Sequence, residues 1–101
     1  MTDTPSLTFL AGSAREDSVH KKIARVAAAR ATAAGASATF IDLRDYPMPL
    51  YDGDLEAREG LPAAALELKA LLRASDGFFI ASPEYNSSFS PLLKNTIDWV
   101  S

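Results

Sequence analysis

The sequence has no cysteine and only one histidine, His20, among its 101 residues. Without cysteine the chain forms neither a disulfide nor a thiolate nucleophile, and one histidine cannot complete the usual zinc ligand sets. No apolar run approaches the ~20 residues that a membrane-spanning helix needs. The chain also begins without an apolar leader segment. We therefore expect a cytoplasmic protein without a metal centre.

Positive charge is also scarce, and the formal net charge is -3 at pH 7. Lys21, Lys22 and Arg25 form the only basic cluster, on a predicted helix. A nucleic-acid surface normally needs a stronger basic stripe, so we interpret this cluster as a solvated helix face. Apolar residues make up 48% and charged residues 23%, which is typical of a soluble globular protein. We expect one domain that binds neither nucleic acid nor membrane.

Three short apolar runs alternate with three helical patterns. The predicted strands are 7–11, 38–43 and 77–82, whose apolar character favours strands buried on both faces. The predicted helices are 18–34, with Gly35 at its end, 62–74, with Pro62 as its first residue, and a third that begins with Ser90 as N-cap and Pro91 as first helical residue. This alternation predicts a parallel sheet with right-handed crossovers and helices on both faces.

The segment 44–62 contains three prolines and two glycines, so we predict a loop throughout, and a loop of this length often has a functional role. The last strand, 77–82, reads as a central strand and not as a charged edge. Natural proteins usually cover an apolar edge. We therefore expect further strands, from the continuation of a larger domain or from a partner chain, and interpret 1–101 as the front part of that domain.

The first loop, residues 12–18, reads Gly-Ser-Ala-Arg-Glu-Asp-Ser and leads into a helix. Ligands of open parallel sheets bind at the carboxyl ends of the strands, and a helix N-terminus favours an anion. Ser13 and Ser18 offer hydroxyl donors, while Arg15 offers a cation suited to phosphate. If the loop binds an anion, the carboxylates of Glu16 and Asp17 must point away from the bound anion. The alternative is a plain turn in which Asp17 or Ser18 caps the helix and Arg15 lies in solvent.

The second loop, residues 82–91, follows the last predicted strand and so lies beside the first loop. A flat heteroaromatic ring needs an apolar wall and a few polar groups along its edge. Tyr85 and Phe89 can supply the wall, and Asn86 with nearby peptide groups can meet the edge. The alternative is a polar surface loop in which the prolines only set turns. Loops on rigid scaffolds often carry sites, so both interpretations stay open.

Together these motifs resemble the NADPH-dependent FMN reductase family, which includes chromate, quinone and azo-dye reductases. The resemblance rests on the first loop, on Pro-Glu-Tyr-Asn at 83–86 and on Leu-Lys-Asn-Thr-Ile-Asp-Trp at 93–99, and it runs from Leu7 to Trp99. It implies a flavodoxin-like three-layer α/β/α fold with a parallel sheet. Three strands belong to this chain, and two more are expected in the complete domain.

The resemblance also implies FMN as cofactor, with NADPH or NADH as co-substrate. Ser13, Arg15 and Ser18 would then bind the FMN phosphate. The second loop would lie along the isoalloxazine, largely through backbone contacts, and its residues are Pro83, Glu84, Tyr85 and Asn86, with Ser88 close by. The signature residues of the last helix are assigned to packing, helix polarity or subunit contact: Lys94, Asn95, Asp98 and Trp99.

The implied reaction is an FMN-dependent NAD(P)H oxidation. A hydride passes from nicotinamide to bound FMN, and electrons then pass to a quinone, an azo compound, a flavin or a metal oxyanion. No residue is assigned as a general acid or base, and a homodimer or homotetramer is expected. Two alternatives remain, a flavodoxin-type electron-transfer module that binds FMN without using a nicotinamide, and a non-catalytic truncated fragment.

Overall fold

The computed structural model describes residues 4–86 and 88–101. Within them, three parallel strands form one sheet in the order β2-β1-β3. The strands are β1 Ser6–Ala11, β2 Ser37–Ile41 and β3 Gly77–Ala81. Phe9 at the centre is paired with Phe40 on one side and Phe79 on the other, so three aromatic rings occupy one row across the sheet. The predicted parallel sheet is confirmed.

Helices cover both faces of this sheet. They are α1 Val19–Ala33, α2 Gly53–Glu59, α3 Ala63–Arg73 and α4 Pro91–Val100, and a 3-10 turn covers Leu43–Asp45. Ser90 caps α4 as predicted, and Ser18 caps α1, as in the plain-turn alternative. Gly35 follows α1 with a φ of 102°, a left-handed conformation that glycine adopts without strain. Pro62 is the N-cap of α3, one position before its predicted role.

The two faces of the sheet have separate apolar layers because successive residues of a strand point to opposite sides. On one face α1 lies over the aromatic row, with the Arg25 guanidinium 4.6 Å from the centre of the Phe40 ring. On the other face a buried cluster joins the sheet to α3 and α4 through Leu68 and Leu93. Because the three strands are parallel, their carboxyl ends lie at the same end of the sheet, and the loops that follow them start there.

The prediction of a loop throughout 44–62 is wrong. Helix α2 lies inside that segment, because its glycines stand at the ends of the helix and not within it. Asp52 accepts hydrogen bonds from the N–H groups of Asp54 and Leu55 at the start. Gly60, with a φ of 76°, follows the last residue. The predicted second strand also ends early, since Asp42 caps the 3-10 turn.

The predicted burial is wrong for β3 and for part of α1. Phe78, Phe79 and Ile80 are 55%, 39% and 45% exposed, because β3 is an edge strand among the described residues. On α1 the apolar positions 19, 23 and 26 are exposed, and the buried side chains are Lys21 and Ala24. No helix in 4–86 or 88–101 is long and apolar enough to cross a membrane.

Candidate functional site

Gly12 is the point at which the two predicted loops meet. Its N–H donates to the carbonyl of Ala81, the last residue of β3, at 2.8 Å. A Cβ at this position would lie 2.8 Å from Ser82 Oγ, 2.9 Å from Ser90 Oγ and 3.2 Å from Leu93 Cβ. Only glycine lets the backbone approach so closely. The first loop, the second loop and the start of α4 therefore leave the sheet in contact with one another.

A cleft of about 240 Å³ opens between the two loops. It is lined by Ser13, Arg15, Ser18, Val19, His20, Pro83 and Tyr85. The first loop thus contributes all three residues predicted to bind phosphate, and the second loop contributes two of the residues predicted to face a ring. Glu84, Asn86 and Ser88 are exposed and lie outside this lining.

The two serines of the first loop are buried and already accept backbone hydrogen bonds. Ser18 Oγ accepts from the N–H groups of His20 and Lys21 at 3.2 and 3.3 Å, and Ser13 Oγ accepts from Arg15 N–H at 3.3 Å. Each hydroxyl keeps its own hydrogen to donate. The first loop therefore has the features of a plain turn, namely a capping serine and an exposed arginine. The two serines also line the cleft.

The first loop carries the cation of Arg15 beside the carboxylates of Glu16 and Asp17, and of these three residues only Arg15 lines the cleft. Among the described residues, the guanidinium of Arg15 has no carboxylate within ion-pair distance. The carboxylate of Asp17 lies 3.0 Å from Lys22 Nζ, and the hydrogen bond from Lys22 lowers the pKa of Asp17 below its usual value. Asp17 is therefore paired with Lys22, and the nearby charge of Arg15 also lowers the Asp17 pKa.

The second loop closes on itself in a tight turn. Tyr85 and Ser88 exchange N–H···O bonds of 3.0 and 3.1 Å, and Asn86 adopts a φ of 52°, which asparagine tolerates better than most residues. The backbone groups of Tyr85 and Ser88 are thus already paired. Within the described residues no hydrogen bond engages the N–H of Glu84 or Asn86.

Sequence reasoning missed two contributors to this site. His20 lines the cleft, but the sequence analysis used this residue only to exclude a zinc site. Its position two residues after the cap of α1 could have indicated that it lies near the first loop. Lys21 is 2% exposed, so its assignment to a solvated face is wrong, whereas Lys22 and Arg25 are exposed as predicted. Lys21 Nζ donates to Asp42 Oδ2 at 2.9 Å and to the Ala14 carbonyl at 3.2 Å.

The signature residues of α4 hold the long connection in place. Trp99 Nε1 and Asn95 Nδ2 both donate to the Pro49 carbonyl, at 2.7 and 2.9 Å, and Asn95 Oδ1 accepts from Tyr51 N–H at 2.7 Å. Lys94 and Asp98 form an ion pair along the helix. The contacts of Asn95 and Trp99 confirm the assignment to packing, the order of Lys94 and Asp98 does not follow the helix dipole, and subunit contact stays a prediction.

A parallel sheet with helices on both faces and a cleft between the loops that follow β1 and β3 is the arrangement of flavodoxin-like domains. The chain belongs to the NADPH-dependent FMN reductase family, whose sequence pattern matches residues 5–101. The fold and the family expected from the sequence are thereby confirmed.

Individual relatives agree with this assignment. A quinone reductase of Escherichia coli (strain K12) is 37% identical over 101 residues, which is 100% of this chain and 53% of the relative. A 2-hydroxy-1,4-benzoquinone reductase of Burkholderia sp is 35% identical over 95 residues, 94% of this chain and 49% of that protein. The structure of FerB, a flavoenzyme NAD(P)H:(acceptor) oxidoreductase from Paracoccus denitrificans, is 32% identical with a TM-score of 0.74, covering 95% of this chain and 50% of FerB. The chain therefore spans about half the length of these relatives.

Proposed function

We propose that this chain is the front part of an FMN-dependent NAD(P)H oxidoreductase with a quinone as acceptor. One observation carries the proposal: Ser13, Arg15 and Ser18 line the same cleft as Pro83 and Tyr85. The relatives from E. coli and Burkholderia are both named as quinone reductases. We assign NADPH as the electron donor because the description of the family names it. A flavodoxin-type electron-transfer module would not use a nicotinamide.

The donor set at the first loop fits the FMN phosphate. Two buried hydroxyls and an exposed, unengaged guanidinium converge there, at the positive end of the α1 dipole. Ser18 already occupies the N–H groups of His20 and Lys21. The anion would therefore be held by hydroxyls, Arg15 and the dipole, more than by the amides of the first helical turn.

The second loop fits the ring of FMN. Pro83 and Tyr85 line the cleft and offer an apolar wall, while Glu84 and Asn86 lie next to them in the chain, outside the lining. When bound, FMN would supply the redox chemistry, taking a hydride from NAD(P)H and passing electrons to the acceptor. The chain's own residues bind and orient: none of them is assigned to move a proton.

The cleft is smaller than a complete cofactor site. Its volume of about 240 Å³ lies below the ~300 Å³ at which ligand pockets usually begin, and the chain covers 53% of the quinone reductase. We infer that residues 1–101 are part of a single flavodoxin-like domain and that two further strands complete both the sheet and the site. A cytoplasmic location and a homodimer or homotetramer belong to this proposal.

The test is a paired titration of the purified chain with FMN and with riboflavin, which lacks the phosphate, followed by flavin fluorescence. Arg15→Ala removes hydrogen bonds to a charged group, each worth about 1.5–3 kcal/mol, so the FMN Kd should rise roughly 10- to 100-fold. The riboflavin Kd should stay within about twofold. Arg30→Ala, at the other end of α1, is the control with the same loss of charge.

The outcomes separate the alternatives. Equal weakening of FMN and riboflavin by Arg15→Ala would contradict the phosphate site. If FMN binds and NADPH does not reduce it, the electron-transfer module is the better description. If a folded chain binds neither flavin, the 101 residues act as a fragment, and the site then requires the longer protein.

A further inference from the structure

Lys21 carries a buried ammonium that the proposed binding site does not explain. The side chain is 2% exposed, and its Nζ donates to Asp42 Oδ2 at 2.9 Å and to the Ala14 carbonyl at 3.2 Å. A buried ammonium is costly unless it is paired and hydrogen-bonded, and here it is both. Since a well-packed apolar side chain is often at least as stabilising as a buried ion pair, stability alone does not account for it.

The two acceptors of Lys21 lie on different elements. Ala14 stands between Ser13 and Arg15 in the first loop, while Asp42 follows β2 and accepts from Arg44 N–H. One side chain of α1 therefore ties the middle of the first loop to the end of β2. This connection lies behind the cleft, because Ala14 lines a neighbouring cavity and not the cleft itself.

The direction of the Ala14 carbonyl matters for an anion. A carbonyl oxygen facing the cleft would repel phosphate, whereas the bond to Lys21 directs it toward the ammonium. The charges of Lys21 and Asp42 offset each other, and Arg44 is exposed beside them. The contribution of Lys21 is therefore one of position more than of attraction.

We propose that Lys21 is a positioning residue that holds the first loop in its anion-binding shape through the Ala14 carbonyl. This inference rests on the proposed function for the identity of the anion, the FMN phosphate. The shape of the loop can be tested without any ligand, so the two proposals can fail separately.

The first test measures backbone order by NMR relaxation in the free chain. In the unsubstituted chain the amides of 13–17 should have order parameters near the ~0.85 of a rigid backbone. In Lys21→Met they should fall below about 0.6, while β1 keeps its values. Lys69→Met, a similar change of a partly buried lysine on α3, should leave the loop unchanged. A loop that is already mobile, one unaffected by Lys21→Met, or equal loss of order in β1 would overturn the proposal.

The second test measures selectivity between FMN and riboflavin. Lys21→Met should raise the FMN Kd at least 10-fold and change the riboflavin Kd less than twofold. Asp42→Asn removes the negative charge but keeps a side-chain oxygen that can accept from Lys21 Nζ, so Nζ should stay at the Ala14 carbonyl and the FMN Kd should stay within about threefold. A merely structural role would make both variants lose both flavins together, and that result would overturn the proposal.

Two contingencies are also decided. If Lys21→Met does not fold, the same relaxation measurement is made on Lys21→Gln, whose side chain is polar but lacks the ammonium, and an unaffected first loop in that variant would overturn the positioning role. If the unsubstituted chain binds no FMN, the proposed function fails for this chain, and the relaxation data alone decide the role of Lys21.

Discussion

Gly12 shows how a single hydrogen atom in place of a side chain brings the loops together. A methyl group there would meet Ser82 Oγ, Ser90 Oγ and Leu93 Cβ at 2.8, 2.9 and 3.2 Å. Ser90 Oγ cannot yield freely, because it accepts from Leu93 N–H and caps α4. Gly12→Ala should therefore lower the free energy of unfolding by about 1–3 kcal/mol, the usual cost of overpacking. Urea denaturation measures this change.

The control is Gly53→Ala at the start of α2, where an added Cβ would meet nothing within 4 Å. That change should be neutral or stabilise by up to about 1 kcal/mol, because alanine restricts the unfolded chain. Equal effects of the two substitutions would show that crowding at Gly12 is not what constrains the loops.

Asp42 links stability to pH. Burial alone raises its pKa, but hydrogen bonds from Lys21 Nζ and Arg44 N–H, with the nearby positive charges, outweigh burial and hold the pKa below its ordinary value of 3.8. The unfolded chain then takes up this proton at a higher pH than the folded chain does. The contribution of Asp42 is complete above about pH 5 and is lost as the pH falls through the folded pKa.

Urea midpoints between pH 3 and 7 test this linkage. The urea midpoint of Asp42→Asn should decrease less steeply toward pH 3 than that of the unsubstituted chain. Asp45→Asn removes an exposed carboxylate from the same turn and is the control for the loss of one negative charge. Parallel curves for all three proteins would contradict a depressed pKa at Asp42.

At the scale of elements, α4 and the long connection are joined through the Pro49 carbonyl. This acceptor receives Trp99 Nε1 and Asn95 Nδ2, and the Tyr51 ring lies edge-on to Trp99 with 4.9 Å between centroids. Trp99→Phe keeps an aromatic ring but loses one donor, so the free energy of unfolding should fall by at least ~1 kcal/mol. Limited proteolysis between 47 and 53 should become faster.

Lys94→Gln is the matched control on the same helix. It removes an exposed ion pair to Asp98, which is worth at most about 0.5 kcal/mol. If Trp99→Phe and Lys94→Gln have the same effect on stability and on proteolysis, the contacts at Pro49 do not hold the connection.

The helices that could be predicted combine a local start or stop signal with an apolar pattern at helical spacing. Ser18 and Gly35 bracket α1, and Ser90 with Pro91 starts α4, because caps act within a few residues of chain. Helix α2 was missed since its flanking glycines were counted as interruptions. The burial of Lys21 was missed because its partners, Ala14 and Asp42, are brought to it only by the tertiary fold.

The candidate site divides in the same way. The two loops could be located because parallel strands end at one edge of the sheet, which is a property of topology. The contribution of His20, and the pairing of Tyr85 with Ser88, depend on how the loops close. The sequence places His20 near the start of a helix, but which side chains face the cleft is decided only when the two loops meet in the fold.

At the scale of the whole molecule, β3 presents an apolar edge. Phe78, Phe79 and Ile80 are exposed, and behind Phe78 and Ile80 lies a cavity of about 180 Å³ with a wholly apolar lining. An unpaired strand with apolar side chains is a template for pairing with another chain. The 101-residue chain by itself should therefore self-associate with rising concentration.

Sedimentation velocity over ~10–200 µM tests this expectation. Phe78→Lys places a charge on the edge, where lysine discourages strand pairing, and should raise the dissociation constant of self-association at least 10-fold. Leu50→Lys makes the same change of charge on an exposed loop residue, 83% exposed, and should have no effect. If the chain stays monomeric at every concentration, the exposed apolar side chains of β3 do not cause association. The exposure of β3 would then no longer support the proposal that further strands cover it. Association that both lysine variants weaken equally would place the contact elsewhere than on β3.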